Sequence, residues 1–110
     1  MAVYVDNMDF PYRGMKMCHM IADTSIELYR MADAIGVDRK WAQSPHTPRE
    51  HFDICRSKKV LAIRLGAIEI SWHSLGRITG RREHAAREAA RLAATHNPEL
   101  PQWTRSDFRR

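Results

Sequence analysis

The stretch KMCHMIADTSIELYRMADAIG, residues 16–36, decides the fold, because it is typical of a buried strand followed directly by a helix. In residues 16–23 apolar side chains occupy both alternating sets of positions, which predicts a central strand covered on both faces. Asp23 or Thr24 then caps a helix, and Glu27 completes a capping box with Thr24. The helix itself is indicated by apolar residues at i, i+3, i+4 and i+7 and a terminal glycine, namely Leu28, Met31, Ala32, Ile35 and Gly36.

Shorter elements extend this unit in both directions. The order strand, helix, strand, helix, strand predicts right-handed crossovers, so we expect an α/β fold with a small, mostly parallel sheet and flanking helices. We assign residues 1–76 to this core and residues 77–110 to an arginine-rich helical extension and tail of the same single domain. The predicted elements are strands at 2–5, 40–42 and 67–71, loops at 7–14 and 44–50, helices at 57–66, 72–79 and 82–95, and a tail at 97–110.

Length and composition are those of one globular domain. The chain has 110 residues, 44% of them hydrophobic and 28% charged, so neither a disordered chain nor a disulfide scaffold is favoured. The sequence has no apolar run of the roughly 20 residues that a membrane span needs, and its first residues do not resemble a signal peptide. We therefore expect a cytoplasmic protein.

Positive charge is concentrated at the C-terminal end. Residues 77–110 contain eight arginines and four acidic residues, and so contribute +4 of the total +5. Arginine pairs well with phosphate, which favours an anionic partner such as nucleic acid. The alternative is a solvated helix with (i, i+4) ion pairs, and its alanine-rich face could also pair with a second copy of the chain.

Histidine and aspartate recur at the ends of the predicted elements. In parallel sheets the carboxyl ends of strands gather at one edge, so these residues are expected to converge. A mixed set of nitrogen and oxygen ligands suits manganese, zinc or ferrous iron. Alternatively, His19 is a core imidazole, Asp23 a helix cap and Asp6 a turn former. The predicted metal ligands are Asp6, His19, Asp23 and His51, with His51 and Asp53 as catalytic acid or base.

A phosphate site is predicted beside these residues. Ser57 and Lys58 flank the expected start of a helix, where free N–H groups favour an anion, and Lys58 is also a catalytic candidate. Trp41 and Gln43 precede this segment and could bind a base. The alternatives are a serine cap with solvated lysines and a tryptophan in the core.

Several of these strings together resemble a known family, the small bacterial and phage domain of unknown function numbered 4031. The resemblance spans residues 2–72, leaves the remainder from residue 73 outside, and implies no particular reaction. It implies that the polar candidates belong to the family signature without giving them roles. It rests on Val3-Tyr4-Val5-Asp6, the segments 15–24 and 51–55, Ser57-Lys58, Glu27-Leu28, Met31-Ala32-Asp33, Ile35-Gly36, Trp41, Gln43 and Gly66-Ala67.

Two functions from different classes follow from these residues. The first is a metal-dependent hydrolase of a phosphoester in a nucleotide or nucleic acid, in which a divalent ion activates water. The second is a non-catalytic module, of phage or host regulatory type, that binds a nucleotide or nucleic acid in the same pocket. Metal dependence separates the two.

Overall fold

The computed structural model of the protein describes residues 2–96, so the predicted tail at 97–110 lies outside the described residues. The strands predicted near the N-terminus, at 16–23 and at 67–71 are confirmed, as are the helices predicted after Thr24 and near Ser57. The elements are β1 (Val3–Val5), β2 (Phe10–Tyr12), β3 (Met15–Ala22), α1 (Ser25–Ile35), a 3₁₀ helix (Arg39–Trp41), β4 (Phe52–Cys55), α2 (Arg56–Arg64), β5 (Ile68–Glu69) and α3 (Trp72–His96).

The sheet is mixed and mostly antiparallel, so the predicted mostly parallel arrangement is wrong, although the combination of a sheet with helices is confirmed. β3 lies at its centre, with β4 on one edge and β1 and β2 on the other. Among the described strands, β1 and β5 form the parallel pair. Two local features produce this topology. Arg13 and Gly14, both with positive φ, turn β2 directly into β3, and the strand predicted at 40–42 is instead part of a 3₁₀ helix.

A bulge separates β1 from β2 along the same edge of β3. Val5 pairs with Met20 and Phe10 pairs with Met17, so the four residues 6–9 lie opposite two residues of β3. The loop predicted at 7–14 is therefore wrong in part, because this segment contains strand β2 as well as most of the bulge. Asp6 compensates for the interrupted ladder, because its Oδ1 accepts the backbone N–H of His19 at 2.9 Å. Bulges of this kind re-aim side chains next to functional sites.

Helix α1 begins and ends as its sequence predicts. Thr24 is the N-cap, its hydroxyl accepts the Glu27 backbone N–H at 3.2 Å, and it donates to the Glu27 carboxylate at 2.9 Å. Gly36 ends the helix with φ of 80°, a left-handed conformation that glycine adopts at little cost. The capping box and the terminal glycine are both confirmed.

The two faces of the sheet have different neighbours. One face of β3 carries Cys18, Met20 and Ala22, which form the hydrophobic core with the apolar residues of α1 and α2. The opposite face carries His19 and Ile21, and the first half of α3 lies over it with Leu75 buried. Strand alternation thus sends the polar residues of β3 and β4 toward α3 and away from the main core.

Helix α3 is continuous, so the two predicted helices separated at Gly80 are wrong. Gly80 has an ordinary helical φ, and one interior glycine costs only about 1 kcal/mol, which is too little to stop a 25-residue helix. The predicted boundary between the core and the C-terminal extension, after residue 76, falls inside this helix. Beyond residue 84 most side chains of α3 up to residue 94 are exposed, including the alanine-rich face. No helix in residues 2–96 is both long and apolar enough to cross a membrane.

A buried carboxylate ties the loop before β4 to α1. Glu50 is buried and accepts hydrogen bonds from the Ser25 hydroxyl, from the Tyr29 hydroxyl at 3.0 Å and from the His46 backbone N–H at 3.0 Å. Burial alone would raise the pKa of Glu50, but these bonds outweigh it, so the pKa lies below its ordinary value. The ionised form therefore stabilises the fold.

Replacing Glu50 with glutamine should lower the free energy of unfolding by about 1–3 kcal/mol at pH 7, because an amide donates where a carboxylate accepts. The pKa of the Glu50 carboxyl is lower in the folded protein than in the unfolded chain. Its ionised form therefore stabilises the fold above the pKa of the unfolded state, and this stabilisation is lost as pH falls through the pKa of the folded state. The difference from wild type should therefore shrink below about pH 4. Urea unfolding at pH 7 and pH 3.5 measures this difference, with Glu88→Gln as the control, at a glutamate whose side chain is 43% exposed and pairs with Arg91 on the same helix. Equal midpoints for Glu50→Gln and wild type at pH 7 would contradict this role.

Candidate metal site

Three ligand atoms converge on the face of the sheet beneath α3. They belong to His19, His51 and Asp53, and lie within 4.8 Å of one another. The Asp53 Oδ1 atom is 3.5 Å from His51 Nε2 and 3.8 Å from His19 Nε2. A tetrahedral ion with ligand bonds of about 2.1 Å would separate its ligands by about 3.4 Å, so small side-chain rotations complete such a site.

Local sequence explains why these three residues meet. His19 of β3 pairs directly with Asp53 of β4, and strand alternation sends both side chains to the same face. His51 precedes β4 by one residue, so it shares the face of Asp53, and a backbone bridge to Gln43 fixes it there. The antiparallel register of β3 and β4 therefore builds the cluster.

Each of the three ligand candidates makes a hydrogen bond to a second group, which orients its side chain. The Nδ1–H of His19 donates to Asp6 Oδ2 at 2.7 Å, and the Nδ1–H of His51 donates to the Arg49 carbonyl at 2.6 Å. Because an ionised carboxylate and a carbonyl only accept, both Nδ1 atoms carry the proton and both Nε2 atoms offer lone pairs. The Gln43 amide donates to Asp53 Oδ2. Such outer partners orient the ligands in metalloproteins.

The charges of the cluster suit a cation. Burial raises the pKa of Asp6, but hydrogen bonds from the His19 ring and backbone lower it more, so the net shift is downward. Burial also raises the pKa of Asp53, and the neighbouring His51 and Gln43 outweigh it in the same way. Asp53 raises the pKa of His51 despite the opposing effect of burial. Both carboxylates are thus ionised at neutral pH, and protons compete with a cation for His51 in acid.

Asp53 Oδ1 is a buried side-chain oxygen that residues 2–96 leave unsatisfied. It is buried, and no hydrogen bond reaches it from the described part of the chain. A buried carboxylate oxygen without a partner is costly, and a bound cation removes that cost. Two imidazole nitrogens and one carboxylate oxygen are a ligand set that suits zinc, manganese or ferrous iron and leaves coordination positions for water or substrate.

A cavity of about 390 Å³ opens beside two of the three ligand candidates, His19 and His51, between the sheet and the first turns of α3. Its floor is polar and its side wall includes Ile21 and Leu75. At its rim Arg49 and Glu83 form an ion pair at 3.6 Å. The volume lies within the range of small-molecule sites, about 300–1,000 Å³.

Of the residues predicted as metal ligands or catalytic groups, Asp6, His19, His51 and Asp53 are brought together, whereas Asp23 and Lys58 lie elsewhere. Asp6 lines the cavity together with His19 and His51, and its carboxylate accepts the His19 Nδ1–H. Asp23 lies four positions after His19 and just beyond the end of β3, so the two are about 13 Å apart along the strand direction. Its carboxylate accepts the Ala2 backbone N–H at 2.7 Å.

One of the predicted substrate-binding residues, Gln43, lies at the cluster, and the other three lie away from it. Gln43 supports Asp53, whereas Trp41 is 62% exposed and outside the residues that line the cavity. The Ser57 hydroxyl contacts the Cys55 thiol at 3.2 Å, and Cys55 is the helix cap. Lys58 reaches the end of α1, where a Cβ on Gly36 would lie 3.2 Å from its Nζ.

Arg49, Trp72 and Glu83 line the cavity and were not predicted. No local pattern could have shown Arg49 or Glu83, because their proximity depends on where α3 crosses the sheet. Trp72 carried a weak signal, as an aromatic residue at a predicted helix start.

A family model described as "Protein of unknown function (DUF4031)" matches residues 3–82. Comparison with curated proteins gives no match, and neither does comparison with solved structures. The match extends past residue 72, where the resemblance in the sequence was expected to end, and includes the part of α3 that covers the cavity. It also contains Asp6 and the three ligand candidates. Because the match covers well over half of the chain, the protein belongs to the DUF4031 family, as the resemblance predicted.

Proposed function

We propose that the protein binds one divalent transition-metal ion through His19 Nε2, His51 Nε2 and Asp53 Oδ1 and hydrolyses a phosphoester of a nucleotide or nucleic acid. The observation that carries this proposal is the unsatisfied Asp53 Oδ1 facing two imidazole nitrogens whose other ring nitrogens are already bonded. Three protein ligands with open positions are typical of catalytic metal sites, whereas structural sites are closed by four.

The ion supplies the chemistry that these side chains lack. Held by His19, His51 and Asp53, it would lower the pKa of a water toward about 7 and polarise a phosphoryl oxygen, so that water could replace the leaving group at phosphorus and the leaving oxygen could take up the proton of that water. Asp6 and the Arg49 carbonyl hold the two imidazoles in place throughout.

An arginine at the cavity supports a phosphate-containing substrate. The Arg49 side chain lines the cavity, and α3, whose first turns also line it, carries five arginines between residues 77 and 91. Binding of nucleic acid by the arginines at 77–110 and pairing of two chains through the exposed alanines of α3 remain predictions. Lys58, which reaches α1, is replaced in this proposal by Arg49 as the phosphate ligand.

A second candidate function is binding without catalysis. Its support is the raised pKa of His51, which favours an imidazolium that can pair with a phosphate oxygen when no ion is bound. In that case the cavity would hold a nucleotide and release it unchanged, and chelation would not weaken binding.

The test uses the 110-residue chain, purified without a histidine tag and stripped of metal with a chelator. We expect one equivalent of Co²⁺ to bind and to produce the visible absorption of a nitrogen and oxygen site. Turnover of bis-p-nitrophenyl phosphate and nucleoside monophosphates should appear with Co²⁺, Mn²⁺ or Zn²⁺ and vanish with EDTA. Absence of a stoichiometric metal would overturn the site, whereas metal binding without turnover would favour the second candidate.

A further inference from the structure

The ion pair between Arg49 and Glu83 spans the entrance of the cavity. Arg49 belongs to the loop before β4 and Glu83 to α3, and their nearest side-chain atoms are 3.6 Å apart. The Arg49 side chain is 66% exposed, so the pair is worth at most about 1 kcal/mol. A phosphate can therefore take the guanidinium from Glu83, because two phosphate oxygens match its donors better than a single long contact.

An aromatic side chain stands at the same cavity. Trp72 lines it as the first residue of α3, and its backbone N–H donates to the Asn7 side chain at 3.0 Å. The indole stacks on His73 with ring centroids 3.7 Å apart, which occupies one of its faces. Trp72 is nevertheless 45% exposed, so an aromatic surface remains open to solvent beside a polar floor.

We infer that the cavity accepts a single unpaired nucleotide, whose phosphate binds Arg49 and whose base stacks on Trp72. This assignment of substrate class rests on the proposed function for its chemistry, but the binding step can be measured without turnover. Trp72 thus takes the role that the sequence suggested for Trp41, which lies outside the cavity-lining residues. A base inside a duplex would first have to leave its stack to enter a cavity of this size.

Equilibrium binding of adenosine monophosphate and of inorganic phosphate to the Co²⁺-loaded, 110-residue chain tests this inference. Trp72→Leu should weaken binding of the nucleotide by about 5- to 150-fold, the range for loss of one base stack, and leave phosphate binding unchanged. Trp72→Phe should retain most of the nucleotide affinity. Trp41→Leu, a change of the same kind at another exposed tryptophan, should have no effect.

Substitutions of Arg49 and Glu83 provide a second test, because they should change the affinity for both ligands in opposite directions. Arg49→Gln should weaken binding of both ligands, because it removes the phosphate contact and leaves the backbone carbonyl that supports His51. Glu83→Gln should tighten binding of both by up to about 5-fold, because it frees Arg49 from a competing carboxylate.

The inference is overturned if the nucleotide binds no more tightly than phosphate, if Trp72→Leu binds it normally, or if Glu83→Gln weakens both ligands. Failure of the proposed function is a separate result, namely no Co²⁺ spectrum or no turnover. Nucleotide binding measured without metal distinguishes the two, because stacking on Trp72 persists in the stripped protein.

Discussion

Replacing His51 with alanine is expected to reduce the affinity for Co²⁺ by more than about 100-fold and to abolish hydrolysis. Loss of a residue that only supports a ligand costs about 10- to 100-fold in metal affinity, and loss of the ligand itself costs more. His51 suits this test because its Nδ1–H donates to a backbone carbonyl, that of Arg49, and not to another ligand candidate. Its removal also takes a neighbour from Asp53, whose Oδ1 lies 3.5 Å from His51 Nε2, so the stability of the variant is measured beside its metal affinity. Titration followed by the visible Co²⁺ absorption measures the change.

The matched control is His84→Ala, which removes an exposed histidine from α3. That variant should bind one Co²⁺ with wild-type affinity. Circular dichroism and urea unfolding should show that both variants fold, so that the loss at His51 is a property of the site. Wild-type Co²⁺ affinity in His51→Ala would remove this residue from the proposed ligand set.

Asp6 is expected to show two separable effects, depending on the replacement. Asp6→Ala should lower the free energy of unfolding by about 3 kcal/mol, because it leaves the His19 N–H without its acceptor inside a fully buried site. Asp6→Asn should fold more stably than Asp6→Ala, because the amide oxygen can still accept that N–H. Its amide nitrogen, however, would face His19 Nδ1 and force the imidazole proton onto Nε2.

The wrong tautomer of His19 would oppose metal binding, so Asp6→Asn should lose about 10- to 100-fold in Co²⁺ affinity. Urea unfolding and Co²⁺ titration of both variants measure the two effects separately, and NMR of the imidazole nitrogens reports the tautomer. Asp33→Asn, at an exposed aspartate that pairs with Arg39, is the control and should change neither quantity. Unaltered Co²⁺ affinity in Asp6→Asn would show that Asp6 has only a structural role.

The central strand and the first helix were predictable because their signals are local. Thr24, Glu27 and Gly36 act within one or two turns of their own helix, so their roles follow from spacing alone. The direction of the strands was not predictable in this way. Arg13-Gly14 is not the usual Asn-Gly signal of a tight hairpin, and the strand expected at 40–42 competed with an Asp38 cap that starts a 3₁₀ helix.

The proximity of the candidate site residues was predicted in part, but the structural cause of that proximity differs from the predicted one. Asp6, His19, His51 and Asp53 were expected to meet at the ends of parallel strands, but they meet through the antiparallel pairing of His19 with Asp53 and the bulge after β1. Asp23 was grouped with them because it stands at the end of the predicted strand that carries His19. A place on the same strand does not imply proximity, because a strand advances about 3.3 Å per residue.

The amino-acid sequence by itself therefore determined the secondary elements with strong local signals, the family, and a set of polar residues that do not belong in a core. Only the tertiary structure decided which of those residues meet, that Asp53 Oδ1 remains unsatisfied, and that Arg49, Trp72 and Glu83 enclose the cavity. The physical reason is the distance along the chain over which the interactions act. Caps and hydrophobic periodicity act over a few residues, whereas strand register and the crossing of α3 depend on contacts between segments that are far apart in the chain.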